Sequence, residues 1–216
     1  MSETDGVHTD FVRSHTRPRP VPFIPEVTLH QADEVIALWE STEAGGTGEQ
    51  PPPFWAFAWA GGQALARFVL DHPALVAGRT VLDLATGSGL VAVAAARAGA
   101  ARVTANDIDP LSLAAAAANA TANDVDLSLF EGDLLDSDQH HDVILAGDVC
   151  YSRAMTARVL PFLRRAAGRG SLVLLGDPGR AYLPAGLTER AAYDVPVAKS
   201  LESVPIRHTK VWEVTA

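Results

Sequence analysis

The clearest hydrophobic pattern begins at Thr80. An apolar run, Thr80 to Leu84, is broken only by Asp83; a turn through Gly87-Ser88-Gly89 follows, then an Ala-rich stretch that ends at Gly99. This reads as strand, tight turn and helix. The same alternation continues with a second strand over 102–106, a helix from Asp109-Pro110 to Ala122 and a third strand over 127–131. A fourth strand over 142–146, a helix over 155–167 with Pro161 as a point of kinking and a fifth strand over 171–176 complete it. Strands alternating with helices require parallel pairing, so residues 80–176 predict a doubly wound α/β sheet. Residues 190–197 and 210–214 are β-rich with no long helix between them, which predicts an antiparallel pair closing that sheet.

Upstream the pattern is weaker. Residues 1–22 are polar with scattered Pro and Arg, and read as a mobile or surface segment. From Val27 the positions Leu29, Ala32, Val35, Ile36 and Trp39 fit a helical period, Gly45-Gly46 ends that helix, and GGTGEQPPP (45–53) reads as a linker or lid hinge. PFWAFAWAGGQALARFVLDHP (53–73) is aromatic before Gly61-Gly62 and helical after it, with Leu65, Phe68 and Val69 facing inward and Pro73 as the stop. The expected organisation is an N-terminal arm, helix and linker or lid (1–53) and one α/β domain (54–216).

Composition narrows the classes. At 216 residues, 48% hydrophobic and 20% charged, the chain builds a substantial core as one domain. A formal charge of −9 disfavours nucleic acid. No run is long enough for a membrane span, and the acidic N-terminus does not suit a transit peptide. Cys150 is the single cysteine, which excludes an intrachain disulfide and suits the cytoplasm. The expectation is a monomer acting without membrane or nucleic acid.

The turn after the first strand is a ligand site. Gly87 and Gly89 allow close backbone approach, and the helix that follows offers free N–H groups. Gly87-x-Gly89-x-x-Ala92 also satisfies the dinucleotide fingerprint, and Asp107 at the end of the second strand suits a ribose diol in either case. Asp83 tilts the choice, because a buried dinucleotide-binding strand is ordinarily apolar there. ATGSG with that upstream acid resembles the first motif of the class I S-adenosylmethionine-dependent methyltransferases; Asp83 as a simple cap of the turn is the alternative.

Other strand ends add chemistry. Asp133, in EGDLL, either holds the exocyclic amine of an adenine with Leu134 against the ring or is a turn acid after Gly132. Asp148 and Tyr151, in GDVCY, lie where a methyl acceptor would, or form a solvated turn. Transfer from a sulfonium needs in-line approach of a neutral nucleophile, and lysine has a pKa of about 10.4, raised further by a neighbouring carboxylate. Asp148 is therefore assigned to docking and aligning the amine rather than activating it, and Tyr151 to a hydrogen bond or a channel wall. GDVCY lacks both prolines of the Asn/Asp-Pro-Pro-Tyr motif of methyltransferases acting on bases or glutamine. Cys150 as a nucleophile is less apt than Cys150 as packing. His140-His141 with Asp138 lacks further metal ligands at useful spacing, so no metal is expected. Phe54, Trp55, Phe57 and Trp59 form either a core or lid cluster, or a cofactor cover (Trp59) and lysine-channel walls (Trp55, Phe57).

Together PFWAFAWAGGQALARFVLDHP, VLDLATGSGLVAVAAA, DIDP with NATAND, LAGDVCY and GDPGRAYLP resemble the electron transfer flavoprotein β-subunit lysine methyltransferases. That group lies within the seven-β-strand family 16 methyltransferases, whose Asp/Glu-x-x-Tyr motif is matched by Asp148 and Tyr151. The resemblance runs from about Phe11, through VPFIPEVTLH and ALWESTE, to VWEV; Thr86 stands where many relatives have Ser, and Cys150 where others have Phe. It implies a class I, Rossmann-like fold, S-adenosylmethionine as methyl donor with S-adenosylhomocysteine as product, and lysine methylation of electron transfer flavoprotein β. By resemblance Trp59, Asp83, Thr86, Gly87, Ser88, Gly89, Asp107, Ile108, Asp133 and Leu134 serve the cofactor. Asp148 borders it and, with Tyr151, is catalytic; Trp55, Phe57, Asp177 and Arg180 border the substrate. A small-molecule (nicotinamide-like) N-methyltransferase is the alternative, followed by a non-catalytic nucleotide-binding module and a pyridine-nucleotide oxidoreductase.

Overall fold

Seven strands form the main sheet, in the order β5-β4-β3-β6-β7-β9-β8. They are β3 (Thr80–Leu84), β4 (Arg102–Asp107), β5 (Ser128–Glu131), β6 (Val143–Gly147), β7 (Leu172–Asp177), β8 (Thr188–Pro196) and β9 (Ile206–Glu213). β3 to β7 pair in parallel, whereas β9 runs antiparallel between β7 and β8. A computed structural model describes residues 3–33, 52–197 and 204–216. The predicted parallel sheet and its antiparallel closure are thus both present. The chain builds outward from β3 to β5, then restarts at β6 on the other side, so the carboxyl ends of β3 and β6 flank the crevice where open α/β sheets take their ligands.

Both faces of the sheet are covered, and the strands show it in their period. Val81, Val143, Leu145 and Leu174 enter one core with α2 (Ala60–Asp71) and α3 (Leu90–Arg97); Leu82, Ile144, Val173 and Leu175 enter the opposite core with α5 (Arg153–Gly168). Helix α4 (Pro110–Ala122) starts as its sequence dictates: Asp109 caps it by accepting from the Leu111 amide, and Pro110 occupies the first turn, where no N–H is needed. Ser152 caps α5 in the same way by accepting from the Met155 amide.

The N-terminal segment differs from the sequence expectation. It forms regular structure, with β1 exposed at the surface up to Val21, and is not helical around Val27: α1 (Glu3–His15) is followed by an antiparallel hairpin of β1 (Arg17–Val21) and β2 (Ile24–Gln31). Val21, Ile24, Val27 and Leu29 are fully buried in the main core. The remainder of the expected helix, including Val35, Ile36 and Trp39, and the hinge residues 45–51 lie outside the described residues. The free edge of β2 is bonded by two asparagines one helical turn apart, Asn119 in α4 and Asn123 at its C-cap. The Thr28 amide donates to Asn123 Oδ1 (2.9 Å), and the His30 amide to Asn119 Oδ1 (2.6 Å).

Candidate active site

The turn after β3 is built from left-handed backbone. Ala85, Gly87 and Gly89 have φ of 54°, 52° and 77°. A Cβ at Gly89 would sit 2.9 Å from the Cα of Ala116, so glycine is what lets α4 close behind the turn; a Cβ at Gly87 would meet nothing, because that residue faces open space. Asn119 on α4 fixes the turn from below, donating to the Ser88 carbonyl (2.7 Å). Asp83 is buried beneath it, and its Oδ2 accepts from Thr86 Oγ1 (2.5 Å) and from the Ala92 amide in the first turn of α3 (3.0 Å). Burial raises its carboxyl to about 7, against the pull of those two donors. Asp83 therefore ties turn to helix, while still reaching the cavity wall.

Asp107 ends β4 with both carboxylate oxygens aimed by backbone: Oδ2 accepts from the Gly87 amide (2.9 Å) and Oδ1 from the Asp109 amide (3.1 Å). Burial raises its pKa against these amides. Each oxygen keeps a lone pair, the arrangement a vicinal diol requires. Beside it Ile108 is 72% exposed, an apolar side chain held at a cavity rim. Asp133 Oδ1 accepts from the Leu135 amide (2.9 Å) and Oδ2 from Arg158 (2.7 Å), and the Leu135 amide with Arg158 lowers its pKa. The Arg158 contact was not legible in the sequence, since the partners lie on different elements.

At the other end, Asp148 follows β6 with φ of 56°, a left-handed conformation that Asp adopts more readily than most residues. Its amide donates to Gly176 O (2.9 Å). Its Oδ2 accepts from the Gly62 amide at the start of α2 (2.8 Å) and its Oδ1 from Arg180 Nη2 (2.9 Å). Burial raises the Asp148 pKa, opposed by Arg180 and by Gly62. Tyr151 is about half exposed, its ring 5.6 Å from Phe54. Phe54 in turn meets Trp59 edge-on at 5.8 Å and accepts its indole N–H through the backbone carbonyl (2.8 Å).

One cavity of about 420 Å³ joins the two ends, within the size range of small-molecule sites. Its wall includes every cofactor residue expected from the sequence except Gly89, together with Tyr151, Phe57 and Arg180. Two expectations are corrected. Trp55 is only 1% exposed and packs with Val12, Ala115 and Ala118 in a core beneath α1 and α4, so it is no channel wall. Asp177 is fully buried and off the cavity; its Oδ1 accepts from the Gly179 and Arg180 amides (2.7 Å each) and shapes the loop that presents Arg180. Asn119, Asn123 and Arg158 are contributors that the sequence reading missed; the Asn-x-x-x-Asn spacing in an otherwise Ala-rich helix was the available signal.

The residues fit an adenosyl sulfonium: a glycine turn open at Gly87, a preset carboxylate for a diol, apolar Ile108 and Leu134 for a ring, and aromatic rings near the acceptor end. Comparison with known proteins agrees. A family profile described as ribosomal protein L11 methyltransferase (PrmA) matches residues 62–149. The chain is 35% identical over 196 residues to the electron transfer flavoprotein beta subunit lysine methyltransferase of Danio rerio, covering 87% of this chain and 75% of that protein. It is 34% identical over 211 residues to the Xenopus laevis protein of the same name, covering 94% and 85%. In fold it resembles the crystal structure of ribosomal protein L11 methylase from Lactobacillus delbrueckii subsp. bulgaricus, with a TM-score of 0.52, 24% identity and coverage of 72% and 79%.

Proposed function

The chain belongs to the electron transfer flavoprotein β-subunit lysine methyltransferases, and from that premise we propose that it methylates lysine side chains of an electron transfer flavoprotein β subunit with S-adenosylmethionine as donor. The observation that carries the reading is one cavity lined both by the diol-ready Asp107 carboxylate after β4 and, from the segment after β6, by the buried Asp148 carboxylate and the half-exposed Tyr151.

S-adenosylmethionine, when bound, supplies a methyl group on a positively charged sulfur. Asp107 accepts from the ribose hydroxyls, the Gly87 turn admits the donor closely, and Leu134 and Ile108 flank the adenine. Asp133 takes the adenine amine with the lone pairs that Arg158 and Leu135 leave. Phe57 and Trp59 wall the passage to the acceptor, and Asp148 and Tyr151 orient the lysine nitrogen. That nitrogen must arrive neutral; its lone pair forms the N–C bond as the C–S bond breaks with its electrons left on sulfur, and the methylated ammonium then gives its proton to solvent. The protein's part is alignment and charge management, which is how most of such a barrier is lowered.

Asp107→Ala raises the dissociation constant for S-adenosylmethionine about 100-fold by calorimetry, since charged hydrogen bonds are worth about 1.5–3 kcal/mol and the Gly87 turn also loses its anchor. An unchanged constant removes the diol role. The substrate is tested with tritiated S-adenosylmethionine and purified electron transfer flavoprotein from the same organism, followed by peptide mass spectrometry. Label on β-subunit lysines is expected. Donor binding without label there overturns the substrate and turns attention to small amines.

A further inference from the structure

An acceptor carboxylate creates a problem for lysine methylation. Alone, it binds the lysine best as an ammonium, the form without a lone pair. The residues packed around Asp148 answer that problem. Arg180 Nη2 lies 2.9 Å from Asp148 Oδ1, with side-chain exposures of 24% and 12%, so the pair is largely shielded from screening water. The guanidinium is presented from the loop after β7, whose backbone is fixed by Asp177 Oδ1 accepting from both the Gly179 and the Arg180 amides. From the opposite side the Gly62 amide, in the first turn of α2, adds the positive end of a helix to Asp148 Oδ2.

We propose that Arg180 is a positioning residue for the methyl acceptor: its guanidinium balances the Asp148 carboxylate, so that an incoming lysine finds aligned hydrogen-bond acceptors without a net negative charge that would keep it protonated. The inference rests on the lysine-methylation reading above. Each Asp148 oxygen spends one lone pair on its present donor and keeps another for the amine. The charge neighbourhood supports the balance. Asp177 is the other acid acting on Asp148; its Oδ2 is buried without a hydrogen-bond partner, and burial raises its pKa against the Arg180 and Gly179 amides and the Arg180 guanidinium. Cys150 is held neutral by burial, its thiol pushed up to about 11, and the Tyr151 phenol is raised by burial and by Asp107. The first turn of α2 brings only Ala60, Gly61, Gly62 and the neutral Gln63. Arg180 is thus the cation acting on Asp148 among the described residues.

The sign of the consequence is fixed. Removing the guanidinium raises the pKa of Asp148 and of a lysine docked on it, and both changes demand a higher pH before an amine can meet an ionised carboxylate. In Arg180→Gln the rising limb of the pH profile for kcat moves up by about one to two pH units, with turnover recovering toward wild type on the alkaline side, while Arg180→Lys keeps the wild-type limb. A second readout needs no protein substrate: the 13C resonance of the Asp148 carboxyl, followed by pH titration of the protein, shifts its midpoint upward in Arg180→Gln and not in Arg180→Lys. A uniform loss of turnover at every pH with the limb in place, or an unmoved Asp148 titration, overturns the proposal and leaves Arg180 as loop structure. Should the wild type transfer nothing to electron transfer flavoprotein β, an upward Asp148 shift still supports the balanced pair, and the substrate assignment alone falls.

Discussion

Asp148→Asn lowers methyl transfer by about 1,000-fold while S-adenosylmethionine binding stays within about 3-fold of wild type. Asparagine is the informative replacement because it preserves shape and tolerates the left-handed φ of 56° that alanine would resist. What it removes is one acceptor oxygen and the negative charge. The Gly62 amide and Arg180 each occupy a different carboxylate oxygen, so an amide opposes one of these donors with its own N–H groups and turns away from the other. A charged hydrogen bond contributes about 1.5–3 kcal/mol, and misplacing a reacting group by an ångström adds about a further 100-fold; together these give the stated loss. Donor binding is spared because Asp107 and the Gly87 turn hold each other on the other side of β3 from Asp148 and share no hydrogen bond with it. Single-turnover transfer of labelled methyl and calorimetric donor binding separate the two. Retention of more than a tenth of wild-type transfer would sink the acceptor role of Asp148. The variant also melts lower, since Arg180 loses the charge it pairs with.

The α/β frame was readable because its signals are local. β3 carries an apolar run broken only by Asp83, glycines punctuate its end, and Asp109-Pro110 announces α4 within two residues. The N-terminal hairpin was not readable for the opposite reason. β1 is Arg-Pro-Arg-Pro-Val, an edge strand whose side chains are exposed until Val21, and composition alone suggests a surface tail. In β2 the buried positions Val27 and Leu29 are two apart, but Ala32, Val35 and Ile36 downstream complete a helical period, so the longer pattern masked the shorter one.

At the site, residue types and strand ends were legible, whereas partnerships were not. Asp148 and Arg180 are 32 positions apart, Asp133 and Arg158 are 25 apart, and nothing in either segment names the other. Aromatic residues were the least decidable group. Trp55 and Phe57 are two apart in one short segment, yet the 3₁₀ turn at Phe54–Ala56 sends the first into the core beneath α1 and leaves the second on the cavity wall. A turn of three residues leaves no period from which to infer that split. The asparagines of α4 show a further limit: their spacing marks one helix face, but only the fold reveals that this face supports both β2 and the glycine turn.

Gly61→Ala destabilises the protein by about 3 kcal/mol and removes most transfer activity, whereas Gly62→Ala, one residue on, leaves both near wild type. The two glycines look equivalent in sequence and are not equivalent in space. A Cβ at Gly61 would sit 2.3 Å from the Gly176 carbonyl oxygen and 2.6 Å from Asp148 Oδ2; the first of these is backbone inside a paired strand and cannot move aside. At Gly62 the nearest atoms are Leu90 Cδ2 and Val91 Cγ2, both at 3.9 Å, an ordinary contact that leaves the amide in place to donate to Asp148. Relief of the Gly61 clash requires the start of α2 to lift off β7, and lifting it withdraws the Gly62 amide from Asp148. Stability and chemistry therefore fail together at Gly61, because the packing of α2 on the sheet and the aim of the acceptor carboxylate are one contact. Denaturant unfolding and transfer assays on the two variants check it: equal behaviour of Gly61→Ala and Gly62→Ala would mean that α2 does not set the position of Asp148.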